Sequence, residues 1–306
     1  MTDLRKPIVV VGSINMDLVA LTRQIPVPGQ TVIGAGFRTT PGGKGANQAV
    51  AAARLGYPVH MVGAVGDDVF SQAPLDNLAA SGVRTESVAR LSGPSGVALI
   101  LVAEDGENSI VVVPGANGKM NCAAIDRHAL LIRSAGMVLC QLELPLETVI
   151  HTLALCAQAG VPVILDPAPA APLPDEVFRN ATWFTPNETE AAFYLDSTST
   201  PEQAAQQLLN KGFHGVVLKR GVEGAYVATA EGKAAWVKSF PVQPVDTVAA
   251  GDCFNGAFAV ALLEALDLWA AARFASAAAA ISVTRPGAQA AMPSRVEVVA
   301  FLAEQG

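Results

Sequence analysis

Short apolar runs alternate with longer Ala/Leu-rich stretches over most of the chain. The apolar runs predict β-strands at residues 8–11, 59–62, 137–140, 161–165, 183–185 and 215–219. These runs are continuously hydrophobic, as expected for strands that are buried on both faces. Strands that alternate with helices predict an α/β protein, with a mostly parallel sheet covered by helices on both faces.

Two segments, residues 14–40 and 96–113, depart from this alternation because they contain strands and turns without intervening helices. In the second segment, residues 97–103 and 108–113 flank an Asp105-Gly106 turn, which predicts a β-hairpin. We expect the two segments to form a small β-sheet that acts as a lid over the C-terminal edge of the main sheet. The 306 residues fit two domains or one large domain with an appendage, and we predict a single domain over residues 1–306.

Composition and charge argue against several classes of protein. With 51% hydrophobic and 15% charged residues, the chain is expected to fold as a globule. Its net charge of −7, without a Lys/Arg cluster, argues against nucleic acid as a partner. We expect neither a signal peptide nor a membrane span, because the apolar runs are too short. The four cysteines form no C-x-x-C pair, which favours a reducing cytoplasm over a disulfide framework or a zinc site.

The strongest chemical signal is DTVAAGDCFNGA, residues 246–257, which leads into an apolar helical run. The backbone amides of Ala249, Ala250, Gly251 and Asp252 at a helix N-terminus would bind a transferring phosphoryl group. Asp252 could accept the proton of the acceptor hydroxyl, as phosphoryl transfer requires. An ordinary helix cap is the structural alternative, and the length of the string favours the catalytic interpretation. We interpret Cys253 as a small buried side chain.

A second signal is TPGGKGANQA, residues 40–49, which opens a predicted helix at residues 50–55. Its two adjacent glycines would let a polyol lie against the backbone, while Lys44 and Asn47 supply donors and acceptors for hydroxyls. A nucleotide P-loop, G-x-x-x-x-G-K-[ST], is excluded, because Arg38 occupies the first glycine position and Gly45 replaces the hydroxyl residue.

Further polar residues follow predicted strands. Asn15 and Asp17 would point the same way from an extended segment and could bind vicinal hydroxyls, although such residues are usually turn residues. Glu143 is either solvated or functional. Asn187 and Glu190 could orient magnesium-bound water and phosphate oxygens, or serve only as a helix cap. The loop at residues 219–224, with two cations and two glycines, could pass under a nucleotide or form a plain hairpin.

The motifs GGKGAN, residues 42–47, and DTVAAGD, residues 246–252, together resemble the two signature regions of the PfkB carbohydrate kinase family. The resemblance extends from near the N-terminus to about residue 293. It implies a Rossmann-like α/β domain with a β-sheet lid, an ATP- and Mg²⁺-dependent reaction, and a homodimer formed through the lids. The implied reaction converts D-ribose and ATP into D-ribose 5-phosphate and ADP, with Asp252 removing the proton of the 5-hydroxyl.

The resemblance also implies three sets of ligand-binding residues. The sugar would be held by Asn15, Asp17, Gly42, Gly43, Lys44, Asn47, Glu143 and Asp252. ATP would be contacted by Asn187, Lys219, Arg220, Gly221, Val222, Glu223, Gly224, Gly251 and Ser276, with Glu190 near Mg²⁺. An activating K⁺ or other monovalent cation would be bound by Asp246, Val248, Ser282, Arg285, Gly287 and Ala291. Ala291 departs from the family, which often has a serine there, so the cation site is expected to be weaker.

Three alternatives remain open. A kinase of the same family that acts on 2-deoxyribose or on a nucleoside would share the anion site and the base. A catalytically silent sugar-binding regulator would be expected to lose Asp252 or Gly251, and both are present. A nicotinamide-dependent oxidoreductase would need a G-x-G-x-x-G motif, which does not follow the first predicted strand.

Overall fold

The computed structural model describes residues 5–195 and 200–305. Within these ranges the strands are β1 Ile8–Val11, β2 Asn15–Thr22, β3 Gly36–Gly42, β4 Val59–Val65, β5 Val83–Arg84, β6 Val88–Arg90, β7 Gly96–Ala103, β8 Asn108–Val113, β9 Met137–Cys140, β10 Val163–Leu165, β11 Trp183–Phe184, β12 Gly215–Lys219, β13 Ala225–Thr229 and β14 Ala234–Val237. The α-helices are α1 Lys44–Arg54, α2 Gln72–Ala80, α3 Cys122–Asp126, α4 Ala129–Ser134, α5 Leu146–Ala159, α6 Asp175–Asn180, α7 Glu188–Tyr194, α8 Pro201–Asn210, α9 Ala250–Leu263, α10 Leu268–Val283 and α11 Arg295–Glu304. Short 3-10 helices cover Gly115–Lys119, Gly221–Glu223 and Gln289–Ala291.

The main sheet has the strand order β14-β13-β12-β11-β10-β9-β1-β4-β5, and β6 also pairs with β4. Neighbours from β12 to β5 are parallel, whereas β13 and β14 add an antiparallel edge. In β1, Ile8 and Val10 pack into one hydrophobic core with α1, α9 and α10. Val9 and Val11 point to the other face and pack into a second core with α5 and α8. The predicted parallel sheet with helices on both faces is therefore confirmed.

Several predicted boundaries differ from the observed ones. The strand predicted at residues 161–165 begins at Val163, after Pro162, which has no backbone N–H for a strand ladder. The strand predicted at residues 183–185 ends at Phe184, close to Pro186. The helix predicted to begin at residue 50 begins at Lys44, because Gly43 adopts the left-handed backbone (φ 90°) that turns the chain into it.

The second sheet has the order β3-β2-β7-β8 and comes from the two segments predicted to form the lid. The β7–β8 hairpin turns at Gly106, which has φ 88°. We call this four-stranded sheet the lid. Because β2 starts soon after β1 ends, the lid joins the main sheet at the carboxyl ends of its parallel strands, where α/β proteins bind ligands. None of the described helices is long and apolar enough to cross a membrane.

Candidate active site

The first turn of α9 lies at the centre of the site. The helix begins after Ala249, whose left-handed backbone (φ 60°, ψ 15°) redirects the chain. The backbone N–H groups of Gly251 and Asp252 lie in this first turn, where no intrahelical acceptor exists and the helix dipole favours anions. Ala249, Gly251 and Asp252 line a cavity of about 730 Å³, which we call the cleft. Cys253 faces the core as expected, and burial raises the pKa of its thiol to about 12.

The carboxylate of Asp252 is only 5% exposed, and each of its oxygens accepts a hydrogen bond from a side-chain amide. Asn47 Nδ2 donates to Oδ2 at 2.9 Å, and Gln48 Nε2 donates to Oδ1 at 3.0 Å. Both amides lie in the first turns of α1, which packs against α9. Gln48 also donates to Asp166 Oδ2 at 3.0 Å and accepts from Gln141 Nε2 at 2.7 Å. This network holds the carboxylate in one orientation.

Asp166 is a cleft residue that was not among the predicted site residues. It directly follows β10, is 2% exposed, and accepts from Lys219 Nζ at 2.9 Å through Oδ1. Its position at the carboxyl end of a parallel strand was the signal that could have found it. A Cβ added to Gly251 would lie 3.3 Å from Lys219 Nζ, so glycine leaves this lysine room beside the helix N-terminus.

The charges in the site shift several pKa values. Burial raises the pKa of Asp252, Lys44 opposes this effect, and Asp166 adds to it. Burial is also the main reason that the pKa of Asp17 rises to about 7, and the nearby Glu143 and Asp252 carboxylates contribute. For Lys44, burial alone would lower the pKa, but the surrounding carboxylates outweigh it and raise the pKa. Lys44 therefore stays protonated among the carboxyl groups, and the Asp17 carboxyl changes its charge near neutral pH.

The predicted sugar-binding residues meet where the lid joins the main sheet. Glu143 Oε2 accepts from Ser13 Oγ at 2.5 Å and from the backbone N–H of Lys44 at 3.2 Å, which holds the carboxylate at the start of α1. A Cβ added to Gly42 would lie 2.2 Å from Asp17 Oδ2, so only glycine fits against this carboxylate. In the register of β2 and β3, Gly42 pairs with Asn15, and Asp17 lies two positions further along β2, opposite Thr40.

Asn117 is a second residue that sequence reasoning missed. It is 1% exposed, and its Nδ2 donates to Asn15 Oδ1 at 2.8 Å. The same side chain accepts from Ile14 N at 3.0 Å and donates to Ile14 O at 3.1 Å. These contacts occupy the oxygen of the Asn15 amide and leave its NH₂ group to act as a donor. No local pattern indicated this role, because Asn117 lies 102 positions away from Asn15.

The predicted nucleotide-binding residues are only partly brought together. The cleft is lined by Asn187, Glu190, Lys219, Gly221, Val222, Gly224, Gly251 and Ser276, and by apolar residues that sequence reasoning missed, including Phe240, Val242 and Val283. Arg220 and Glu223 are absent from this lining and pair with each other at 2.8 Å.

Asn187 and Glu190 form the capping box of α7, in which each side chain accepts from the other residue's backbone N–H at 2.8 Å. The structural alternative is therefore correct for this pair. Both residues nevertheless line the cleft, and burial raises the pKa of Glu190. A capping role and a position in the lining of the cleft are therefore compatible for these two residues.

The predicted cation-binding segments are joined by Asp246. Its Oδ1 accepts from Val248 N at 3.0 Å and its Oδ2 accepts from Gly287 N at 2.9 Å. Ala291 is buried at the end of the 3-10 helix Gln289–Ala291. The Arg285 side chain pairs with Glu297 at 2.6 Å. Among the described residues, no group of three His, Cys, Asp or Glu side chains could hold a metal ion.

The chain is similar to known carbohydrate kinases. A model of the pfkB family of carbohydrate kinases matches residues 5–295. Ribokinase from Bacillus subtilis is 47% identical over 300 residues, which cover 96% of this chain and 99% of that protein. Deoxyribokinase from Salmonella typhimurium is 38% identical over 293 residues, which cover 94% of this chain and 95% of that protein.

Solved structures show the same fold. Ribokinase from Arabidopsis thaliana, complexed with ribose and ATP, has a TM-score of 0.90 and 35% identity and covers 98% of this chain and 99% of its own. A chain from E. coli solved in complex with ATP and Mg²⁺ has a TM-score of 0.82 and 25% identity, with coverage of 98% and 99%.

Proposed function

The chain belongs to the pfkB family of carbohydrate kinases, and we propose that it transfers the γ-phosphoryl group of ATP to the 5-hydroxyl of D-ribose. The observation that carries this proposal is the position of Asp252. Its buried carboxylate lies in the first turn of α9, accepts hydrogen bonds from the Asn47 and Gln48 side chains of α1, and lines the cleft.

In the proposed reaction, Asp252 accepts the proton of the 5-hydroxyl while that oxygen bonds to the γ-phosphorus of ATP. The bond between the γ-phosphorus and the bridging oxygen breaks, and ADP leaves. Charge on the transferring group is stabilised by the first-turn N–H groups of α9 and by the protonated Lys44. Asn15, Asp17 and Glu143 position the sugar hydroxyls, so that the 5-hydroxyl meets Asp252.

The residues in the cleft fit ATP with Mg²⁺. Mg²⁺ in such kinases binds through substrate phosphates, water and one or two carboxylates, and neutralises phosphate charge. Glu190 and Asp166 are the carboxylates on the nucleotide side of the cleft. The apolar wall at Phe240, Val242 and Val283 suits an adenine ring.

A monovalent cation is proposed as an activator. Asp246 supplies one carboxylate and ties residue 248 to residue 287, and the other predicted ligands offer mainly backbone carbonyls. One negative charge with neutral oxygens suits K⁺ better than a divalent ion. Ala291 has no hydroxyl to complete the set, so we expect weak K⁺ activation.

A homodimer through the lid is part of the proposal. Strand β8 is exposed along its whole length, with Ile110 51% and Val111 59% exposed, and it forms an edge of the lid sheet. Such an apolar edge invites pairing with another strand. The proposed dimer is tested by measuring the molar mass of Ile110→Lys by light scattering, with Val299→Lys on α11 as the control. A dimer that persists in Ile110→Lys contradicts the lid interface.

A second acceptor is favoured by one observation, the 38% identity to a deoxyribokinase. ADP release with Mg²⁺-ATP should therefore be measured with D-ribose, 2-deoxyribose, fructose and adenosine, each with and without K⁺. Selective turnover of ribose supports the proposal. Selective turnover of 2-deoxyribose keeps the mechanism and changes the acceptor, and no turnover with any sugar favours a binding protein.

We also propose a cytoplasmic location, because the proposed reaction uses ATP and the cysteines among the described residues are free thiols.

A further inference from the structure

Gln289 is a buried glutamine at the start of the 3-10 helix Gln289–Ala291, and neither motif in the sequence includes it. It is 3% exposed and is absent from the residues that line the cleft. Its side chain nevertheless contacts three separate parts of the fold: Asn77 on α2, the carbonyl of Gly42 at the end of β3, and Asn47 on α1. Burying an amide is costly unless its polar atoms are paired, and both ends of Gln289 are paired.

The direction of these hydrogen bonds follows from groups that can only accept. The carbonyl of Gly42 accepts from Gln289 Nε2 at 3.4 Å, so the amide nitrogen of Gln289 faces this side. The same nitrogen donates to Asn47 Oδ1 at 3.0 Å, and Asn77 Nδ2 donates to Gln289 Oε1 at 2.5 Å. Asn47 is therefore left with its NH₂ group toward Asp252, where Nδ2 donates to Oδ2 at 2.9 Å.

We infer that Gln289 is a positioning residue that orients the Asn47 amide toward the carboxylate of Asp252. The inference rests on the proposed function, in which Asp252 is the base. Gln289 Nε2 donates to Asn47 Oδ1, which holds this oxygen away from Asp252 and reinforces the orientation in which Asn47 Nδ2 donates to the carboxylate. Gln289 is fixed in turn by Asn77, so the relay links α2 to the base across four side chains.

Gln289 also lies close in sequence to the proposed cation ligands. Gln289 lies two residues after Gly287, whose backbone N–H is held by Asp246. The segment that carries the proposed cation ligands is therefore the segment that positions Gln289.

The test replaces Gln289 by methionine, which keeps the unbranched shape and removes both polar atoms. Without its partner, Asn47 no longer holds one orientation, and Asp252 loses part of a hydrogen bond that favours its ionised form. We expect kcat to fall about tenfold and the acidic limb of the kcat profile, which reports groups in the enzyme–substrate complex, to move to higher pH. KM for ATP should stay unchanged. Gln206→Met, an exposed position on α8, is the matched control.

Other charged groups also act on Asp252, so the pH profile needs an internal reference. Lys44 lowers the pKa of Asp252 and Asp166 raises it, while Asp252 in turn raises the pKa of Asp17 on β2. None of them contacts Gln289 in the hydrogen bonds of the described residues. Asn47→Ala alone and combined with Gln289→Met supplies the reference, because the relay predicts no further change in kcat or in the acidic limb when the second substitution is added.

Two results would overturn the inference. One is an unchanged kcat and acidic limb in Gln289→Met, and the other is a double variant whose loss equals the product of the single losses. If Gln289→Met does not fold, Asn77→Ala removes the upstream donor, and the relay predicts a smaller shift of the acidic limb in the same direction. Asp252→Asn measured in parallel separates the two proposals, because near-native turnover there contradicts the assigned base whatever Gln289 does.

Discussion

Replacing Asp252 by asparagine removes the proposed base and keeps the shape of the side chain. The carboxylate accepts from Asn47 on one oxygen and from Gln48 on the other, whereas an amide offers one oxygen only. With the new oxygen toward Asn47, the bond from Asn47 survives, while the new NH₂ group faces Gln48 Nε2, which is itself a donor and keeps Asp166 as its other acceptor. Replacing this hydrogen bond by two facing donors costs about 1–3 kcal/mol of folding free energy.

An opposing contribution comes from the pKa of the carboxyl. Burial raises the pKa of Asp252 above its unfolded value of 3.8, so the folded state binds the proton more tightly. At pH 8 the ionised group therefore destabilises the fold, and this penalty is lost as the pH falls through the folded and then the unfolded pKa. The uncharged amide of the variant would carry no such penalty. We therefore expect Asp252→Asn to change the free energy of unfolding at pH 8 by no more than about 1 kcal/mol.

The effect on turnover should be much larger. General-base catalysis contributes about 10²–10⁴ in rate, which corresponds to about 2.7–5.4 kcal/mol of activation free energy. The backbone N–H groups of the anion site are untouched, so binding of ribose and ATP, measured by calorimetry, should stay within about threefold. Stopped-flow or coupled ADP release measures kcat, with Asp175→Asn at an exposed position of α6 as the control. A kcat for Asp252→Asn above a tenth of the native value would refute the assigned role.

Three further predictions test the sugar and cation sites. Gly42→Ala should weaken ribose binding at least about tenfold and leave ATP binding unchanged, because its Cβ would lie 2.2 Å from Asp17 Oδ2. The control is Gly36→Ala in the same strand, whose Cβ would lie at an ordinary 3.4 Å from Leu21. Equal ribose affinities of the two variants in calorimetry would argue against a sugar site at Gly42. KM for ribose should rise about tenfold per pH unit as the pH falls below about 7, because the Asp17 carboxylate, whose pKa is raised, becomes protonated there. If KM rises just as steeply with falling pH in Asp17→Asn, the effect belongs to another group. Ala291→Ser should lower the K⁺ concentration for half-maximal activity about two- to fivefold by adding one oxygen ligand; an unchanged K⁺ titration would place the cation elsewhere.

The hydrophobic pattern was sufficient to predict the fold class. Strands β1, β9 and β12 were predicted with their observed boundaries, because their buried positions are apolar and only the last residue of β12, Lys219, is charged. The lid could be predicted because two segments lacked helical stretches and one contained an Asp-Gly turn. The motifs that contain the first turns of α1 and α9 were recognisable because phosphate and polyol chemistry there depends on glycine and on contiguous residues, although α1 itself was predicted to begin six residues late.

The layers of the fold, the lid and the two contiguous motifs could thus be predicted, since each rests on residues that are neighbours in the chain. The side chains that support them could be identified only in the folded chain. Asn117 reaches Asn15 across 102 positions, and Gln289 reaches Asn47 across 242. Asp166 is likewise joined to Lys219 and Gln48 only after β10 and β12 enter one sheet. Hydrogen bonds between distant residues depend on where the folded backbone places two polar atoms within about 3 Å, and no periodicity in the chain records that distance.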